Sequence, residues 1–362
     1  MMLEALRQAA QAALPEDVWR HLQQGAHDAL APSPSCFDAV ALTPRPLRAL
    51  TQGHTRLTLF GETLAHPFLV APLAYARLFH PDGDAGMAMA ATAQCGQSLL
   101  SSLASQTIAD VAAAHRGGLA PVPDVQIAGA PWFQLYWQGD RDTTAVLLQQ
   151  ALAQGCPVVV LTVDAPVKTG GIALPDGVHA VNLPPRAAHP PASGQVFQHW
   201  MAQAPTWDDV RWLRERCPVP LLLKGITHPD DARQARETGA AGVIVSNHGG
   251  RALDTVPATA ELLPRIVEAV GGDGPQALPV LVDGGIRRGT DVLKALGLGA
   301  RAVLVGRPQM HALAVAGAQG VAHMLRLLRD ELEIAMALSG CRTLADASPS
   351  LLWPGACLTH PR

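Results

Sequence analysis

Short apolar runs punctuate the chain from residue 65 onward. They are "PFLVAPLA" (67–74), "QSLLSS" (97–102), "PWFQLYW" (131–137), "PVVVLTVD" (157–164), "PLLLKGI" (220–226), "GVIVSNHG" (242–249), "PVLVDGG" (279–285) and "AVLVGR" (302–307). Their hydrophobic residues are nearly continuous, not alternating with polar ones. That pattern predicts strands buried on both faces, as in a parallel sheet. Between the runs lie stretches with apolar residues at helical spacing: "DRDTTAVLLQQALAQG" (140–155), "HPDDARQARETGA" (228–240) and "RGTDVLKALGLGA" (288–300). The second opens on Pro and acids and closes at Gly, the asymmetry expected of helix ends. Eight strands alternating with helices predict an α/β fold, a (β/α)8 barrel over 65–310.

The flanks read differently. "MMLEALRQAAQAALPEDVW" has the pattern of an amphipathic helix, and residues 1–50 are expected to form helices that plug or flank the barrel. "GVAHMLRLLRDELEIAMALSGC" (320–341) predicts a long helix on the barrel wall, within a C-terminal helical segment over 311–346. Residues 165–205 contain "LPPRAAHPPASG" and little periodicity, so they are expected to form a lid-like loop after the fourth strand, over the C-terminal face. The whole chain, 1–362, reads as one domain.

Composition narrows the function. The chain is 48% hydrophobic and 16% charged, with a net charge of -3. That leaves no basic field for nucleic acid or anionic lipid. No run of about 18 apolar residues predicts a membrane span, and the acidic N-terminus does not resemble a signal peptide. A cytoplasmic protein is expected. Cysteines 36, 95, 156, 217, 341 and 357 form no CxxC pair or zinc-like cluster, so reduced thiols and no metal site are expected.

In such a barrel, polar residues at the C-terminal ends of strands carry the chemistry. Here they are Ser101, Gln134, Tyr136, Thr162, Asp164, Lys224, Ser246, His248, Arg251, Asp283, Arg287 and Arg307. "VDGGIRRGTDV" and "LVGRP" place Gly284, Gly285 and Arg287, then Gly306 and Arg307, after the last two strands. Glycines let backbone N–H groups approach an anion, and Arg grips phosphate through two donors, so a phosphate site is predicted. Lys224 ends an all-apolar run and needs a negative partner. Gln134 and Tyr136 lie two apart on one strand and point the same way, as do Thr162 and Asp164. His248 suits a general base, Asp164 its orienting carboxylate, and Arg251 the grip on a substrate carboxylate.

With these residues in place, the sequence resembles the FMN-dependent 2-hydroxy acid oxidases and dehydrogenases, which include glycolate oxidase and mandelate dehydrogenase. "SNHGGR" looks like the family signature. "LVDGGIRRGTDVLKALGLGARAVLVGRP" looks like its phosphate-binding segment, and "FQLY", "LTVDAP" and "LLLKGI" match in order. The resemblance runs roughly from Leu14 to Asp346. It implies FMN as cofactor, held by Pro72, Leu73, Ala74, Ser101, Gln134, Thr162, Lys224, Ser246, Asp283, Gly284, Gly285, Arg287, Gly306 and Arg307. It implies His248 as base with Asp164 as partner, Arg251 as carboxylate anchor, and Tyr136 beside the substrate hydroxyl. Lys224 would face the flavin edge that becomes negative on reduction.

The implied reaction converts a 2-hydroxy acid to a 2-oxo acid and passes electrons to oxygen or another acceptor. Hydride and carbanion routes both stay open. A homo-oligomer, by resemblance a tetramer, is expected. The alternatives are a non-catalytic FMN-binding barrel and another FMN barrel enzyme.

Two substrate contacts common in the family are absent. Alignment on Gly25-Ala26 puts Leu22, with His21 adjacent, at the position of a carboxylate-binding Tyr. Gly171 stands where an Arg is common, and Lys168 is the nearest cation. Leu22, Leu103 and the glycines are expected to enlarge and dry the pocket, favouring a larger or more apolar 2-hydroxy acid.

Overall fold

The computed structural model describes residues 2–25, 37–166, 172–183, 196–253, 255–272, 274 and 277–354. Two helices come first, α1 (Met2–Ala13) and α2 (Glu16–Gln23), then a hairpin of β1 (Leu57–Leu59) and β2 (Glu62–Leu64). There follow β3 (Phe68–Val70), α3 (Gly83–Ala93), β4 (Leu99–Ser101), α4 (Ile108–Gly118), β5 (Trp132–Tyr136), α5 (Arg141–Ala153), β6 (Val159–Thr162), α6 (Trp207–Arg216) and β7 (Leu221–Ile226). The chain continues through α7 (Pro229–Glu237), β8 (Gly242–Val245), α8 (Thr259–Ala269), β9 (Val280–Asp283), α9 (Gly289–Gly297), β10 (Ala302–Val305) and α10 (Arg307–Ser339). The order of the eight-stranded parallel sheet is β3-β10-β9-β8-β7-β6-β5-β4. A parallel bridge from Val70 to Ser98 joins its two ends. The eight predicted strands are therefore the eight strands of a (β/α)8 barrel.

The continuous apolar runs are explained by two buried faces. On the outer face Phe133, Leu135, Val159, Leu161, Leu221, Leu223, Val243, Val245, Val303 and Val305 pack under the helices in the larger core. Facing inward, Leu69, Leu99, Trp132, Val160, Leu222, Ile244, Leu281 and Leu304 fill the barrel. Side chains on a strand repeat every second residue. Two positions beyond that inner layer therefore come Ser101, Gln134, Thr162, Lys224, Ser246 and Asp283, a polar layer on the apolar plug. One further step brings Tyr136, Asp164 and His248 to the rim.

The flanks depart from expectation in four ways. The N-terminal pattern forms two helices, because Pro15 lacks an N–H and takes φ -54, ψ 146 ahead of α2. Residues 37–50 contain no helix. The β1–β2 hairpin was not predicted. It plugs the far end of the barrel, where Glu62 accepts from Trp132 Nε1 (2.6 Å), Gln97 Nε2 (2.8 Å) and the Ala128 N–H (2.8 Å). The C-terminal helix starts earlier than expected, directly at Arg307, and breaks at Ala316 and Gly317.

Of the lid-like loop, 167–171 and 184–195 fall outside the described residues. Its nearer part is fastened to the loop after β4. Asn182 Nδ2 donates to the Gln106 carbonyl (3.0 Å), Ile108 N–H donates to Asn182 Oδ1 (3.1 Å), and Val181 N–H to the Ala104 carbonyl (3.2 Å). Among the described residues Cys95, Cys156, Cys217 and Cys341 are free thiols; Cys36 and Cys357 lie outside them. No helix of the described residues is long and apolar enough to cross a membrane, and no group of His, Cys, Asp and Glu among them could hold a metal.

Asp84 on α3 holds the loop after β4 from the other side. Its Oδ2 accepts from Ser105 N–H (3.0 Å) and Oγ (2.9 Å), and Ser105 Oγ accepts from Arg77 N–H (2.9 Å). Burial raises its carboxyl to about 6 despite those bonds. The folded state therefore keeps a proton that the unfolded chain releases near 3.8. This contribution is full below that value and is lost as pH rises towards 6. Relative to D84N, the native protein should lose about 2–3 kcal/mol of stability between pH 4 and 7. Urea unfolding of both proteins at the two pH values measures it; parallel pH dependences would refute it.

Candidate active site

The polar layer forms a connected row around the mouth. Ser101 Oγ donates to Gln134 Oε1 (3.0 Å), and Gln134 Nε2 donates to Thr162 Oγ1 (2.9 Å). Register pairs Ser101 with Gln134 and Thr162 with Lys224, so the row crosses four neighbouring strands. Lys224 is 5% exposed. Its Nζ donates to Ser246 Oγ (2.8 Å) and pairs with Asp283 Oδ2 (2.9 Å). Burial opposes its charge, but Asp283 and Asp164 outweigh burial and hold the ammonium above its usual range. Asp283 Oδ1 is buried and has no hydrogen-bond partner among the described residues.

The rim carries the candidate base. His248 opens a 3-10 turn, His248–Gly250, with φ 56, a left-handed conformation unusual outside glycine. Its N–H donates to Ser246 Oγ (3.1 Å), and Gly249 N–H donates to Asn247 Oδ1 (3.1 Å). These bonds turn the ring back over the barrel. Nδ1 lies 3.0 Å from Asp164 Oδ1 and Nε2 lies 3.3 Å from the Tyr136 hydroxyl. Burial pushes the Asp164 carboxyl up, but the His248 hydrogen bond and the Lys224 charge outweigh it and leave it below its usual value. An ionised carboxylate only accepts, so the proton on Nδ1 points to Asp164, and Nε2 is the nitrogen turned to the mouth. Asp164 reaches this place because β7 bulges at Gly225 (φ +103), against whose bare Cα its side chain lies. Burial raises the Tyr136 phenol to about 12, so it stays a neutral donor.

The two glycines of "SNHGGR" have separate tasks. Gly250 (φ +79) leaves space that the Gly25 carbonyl fills, and a Cβ on Gly25 would lie 2.6 Å from Arg251 N. The end of α2 thus packs backbone to backbone on the His248 loop. Gly249 leaves its carbonyl to accept from Arg307 Nη2 (2.9 Å). Arg251 Nη2 donates to the carbonyls of His21 (2.8 Å) and Leu22 (3.0 Å).

At the last two strands, Gly284 (φ +88) and Gly285 (φ +74) take left-handed turns. A Cβ on Gly306 would meet nothing within 4 Å. The turns lead into α9 and α10, whose N-termini carry positive partial charge. Burial, then the charges of Arg251 and Arg287, lower the Arg307 guanidinium to about 10. No carboxylate of the described residues forms an ion pair with Arg251 or Arg307. Arg287 and Arg307, beside glycine turns at two helix starts, form an anion site, and Arg251 lies near enough for its charge to act on Arg307. This, with the orphaned Asp283 Oδ1 and the Lys224 ammonium on the polar row, fits a phosphorylated ribityl flavin. Pro72, Leu73 and Ala74 are half-buried beside it, between β3 and the turn at Ala76–Leu78.

One placement made from sequence is overturned. Leu22 is 1% exposed and packs in the core with Val18, one turn earlier on α2, so it does not line the pocket. His21 looks towards Arg251 instead, and that charge acts on its ring. Lys168 and Gly171 lie outside the described residues. Three residues escaped the sequence reading. Ser102 locks β4 to β5, donating to the Gln134 carbonyl (2.8 Å) and accepting from Tyr136 N–H (2.9 Å). Gln309 Nε2 holds the Ala71 carbonyl (2.6 Å). Tyr75 takes φ 56 right after Ala74, and its phenol acts electrostatically on Tyr136. Only the Tyr75 signal was legible: a Tyr directly after "PLA", in a chain with two tyrosines.

A barrel with this row, this rim and this anion hollow defines a flavin mononucleotide oxidoreductase. The known proteins agree. Residues 10–354 match the FMN-dependent dehydrogenase family. The chain is 44% identical over 353 residues to an L-lactate oxidase of Roseobacter sp. (strain GAI101), covering 94% of this chain and 91% of that one. It is 41% identical over 359 residues to a 4-hydroxymandelate oxidase of Amycolatopsis orientalis, covering 95% and 96%. The crystal structure of mandelate oxidase with (S)-2-phenylpropionate superposes with a TM-score of 0.83 at 39% identity over 97% of both chains. The chain belongs to the FMN-dependent dehydrogenase family; it is a flavoprotein and an oxidoreductase acting on CH–OH groups.

Proposed function

We propose that this enzyme oxidises a 2-hydroxy acid to the 2-oxo acid and delivers the electrons to oxygen. The observation that carries the reading is the Asp164–His248–Tyr136 chain, which holds the Nε2 of the imidazole at the mouth above the polar row. His248 Nε2 takes the hydroxyl proton, and Asp164 steadies the resulting imidazolium. Tyr136 donates to the substrate oxygen and keeps it over Nε2. Arg251 pairs with the carboxylate, which fixes the orientation of the α-carbon. When bound, FMN supplies the acceptor for the two electrons that leave with the α-hydrogen. Lys224 would set its positive charge beside the bound flavin, and Arg287, Arg307, Gly284, Gly285 and Gly306 would hold its phosphate.

Relatives named for lactate and 4-hydroxymandelate differ in substituent size, and Leu73 and Leu103, both half-buried at this end, offer an apolar face. We read this as favouring a bulkier acid, a preference that now rests without Leu22. The test is anaerobic bleaching of the flavin-loaded protein by glycolate, lactate and mandelate, followed by peroxide release on admitting oxygen. Mandelate should bleach with the highest kcat/KM. A flavin untouched by every acid refutes the activity, and equal use of glycolate refutes the preference.

A further inference from the structure

We propose that Tyr75 is a specificity-determining residue whose phenolic hydroxyl receives a hydrogen-bonding group at the far end of the acid's α-substituent, such as a hydroxyl on an aromatic ring. This rests on the proposed function and names the polar end of the substrate class within it.

The backbone sets Tyr75 apart. Its φ of 56 and ψ of 47 lie in the left-handed region, a genuine outlier for a bulky side chain. Such a conformation persists only where the surroundings over-determine it, and it concentrates at active sites. Here hydrogen bonds impose it. Tyr75 N–H donates to the Leu103 carbonyl (3.1 Å), and the Tyr75 carbonyl accepts from Leu78 N–H (2.8 Å). Two residues on, Arg77 N–H donates to Ser105 Oγ (2.9 Å), which Asp84 holds. The turn after β3 is thus stitched at two points to the loop that leaves β4 at Ser101 of the polar row. The turn itself suits Gly, so Tyr brings a strain that only contacts of its side chain can offset.

The side chain is half-buried, and its hydroxyl makes no hydrogen bond to any described residue. A Tyr hydroxyl withdrawn from water usually finds a partner. Burial raises this phenol above its usual value, so it keeps its hydrogen and can both donate and accept. Its electrostatic effect reaches the Tyr136 phenol, which lies 3.3 Å from His248 Nε2. The two tyrosines of the chain thus face one mouth. Their tasks differ. Arg251 takes the carboxylate, and His248 and Tyr136 take the reacting hydroxyl. The third substituent of the α-carbon is left to the remaining wall. Ala74, Leu73 and Leu103, all half-buried, make the near part of that wall apolar. Tyr75, bonded through its backbone to Leu103, adds an unpaired hydroxyl to it. The matching substituent is apolar next to the α-carbon and polar at its tip, the form of a hydroxylated ring. A half-buried phenol keeps some access to water, so its hydrogen bond contributes about five- to tenfold, less than a sealed polar pocket would.

The experiment reads anaerobic flavin reduction of the flavin-loaded protein by 4-hydroxymandelate and by 4-methylmandelate. Hydroxyl and methyl are similar in size, so the ratio of the two kcat/KM values isolates the hydrogen bond. Native protein is compared with Y75F, which keeps the ring and removes the hydroxyl. Electronic differences between the two acids are common to both proteins and cancel. The hydroxyl-to-methyl ratio should fall about five- to tenfold from native to Y75F. A ratio that Y75F leaves within about twofold of native overturns the proposal. That holds even if Y75F slows both acids together, which would mark Tyr75 as structural. Y75G, which suits the left-handed turn and also lacks the hydroxyl, replaces Y75F if the latter fails to retain flavin. If no 2-hydroxy acid bleaches the native flavin, the oxidase reading itself has failed. Bleaching with an unmoved ratio refutes Tyr75 alone.

Discussion

H248N should reduce flavin about 10^3-fold more slowly than the native enzyme with its best 2-hydroxy acid, while still binding FMN. A positioned base contributes about 10^2–10^4 in rate, and three decades correspond to about 4 kcal/mol of barrier. Asn is the substitution of choice because residue 248 has φ 56, and Asn tolerates the left-handed region better than other non-glycine residues. The turn, the Gly249 carbonyl on Arg307 and the Gly250 contact with Gly25 should therefore survive. Asp164 would lose its imidazole donor but keep the Lys224 charge nearby. Anaerobic stopped-flow at 450 nm (the flavin band) reads the rate directly; reduction within about tenfold of native would remove His248 from the proton transfer.

K224M should have the largest effect on stability. It removes the ammonium that pairs with Asp283 and whose charge acts on Asp164, both carboxylates being largely buried. Breaking a buried pair from one side costs about 3–5 kcal/mol, because the remaining charge stays buried without compensation. The variant should unfold at lower denaturant and lose much of its FMN. K224M/D283N separates the two roles of the lysine. With the orphan charge gone, about half of the lost stability should return. Flavin reduction should stay slow, because no positive charge remains at the end of β7. A double variant that regains both stability and rate would show that Lys224 is a structural partner of Asp283 and nothing more.

The sequence carried much of this. Strand number, parallel class and the membership of the polar rows were legible because both faces of each strand are buried and the period of two then fixes which positions look inward. Gln134 and Tyr136, or Thr162 and Asp164, could be assigned to one face before any coordinates. The β1–β2 hairpin was invisible for the opposite reason. Each of its strands has three residues, too few to show a period, and its turn is marked only by Gly61 (φ +83) after Phe60 (φ 49).

Alignment of a short helix also failed at one residue. An offset of one on a helix is a rotation of about 100°, enough to exchange a core leucine for a histidine beside Arg251. Sequence alone thus determined the barrel, its cofactor class and the residues of its mouth, since all depend on local pattern and on motifs within single strand–loop units. Only the packed chain decided that α2 closes the site, that Arg251 is shared between α2 and the mouth, and that Lys224 rests on Asp283. Those contacts join segments tens to hundreds of residues apart. The two that involve α2 are set where backbone meets backbone at Gly25 and Gly250, a fit that no local pattern encodes.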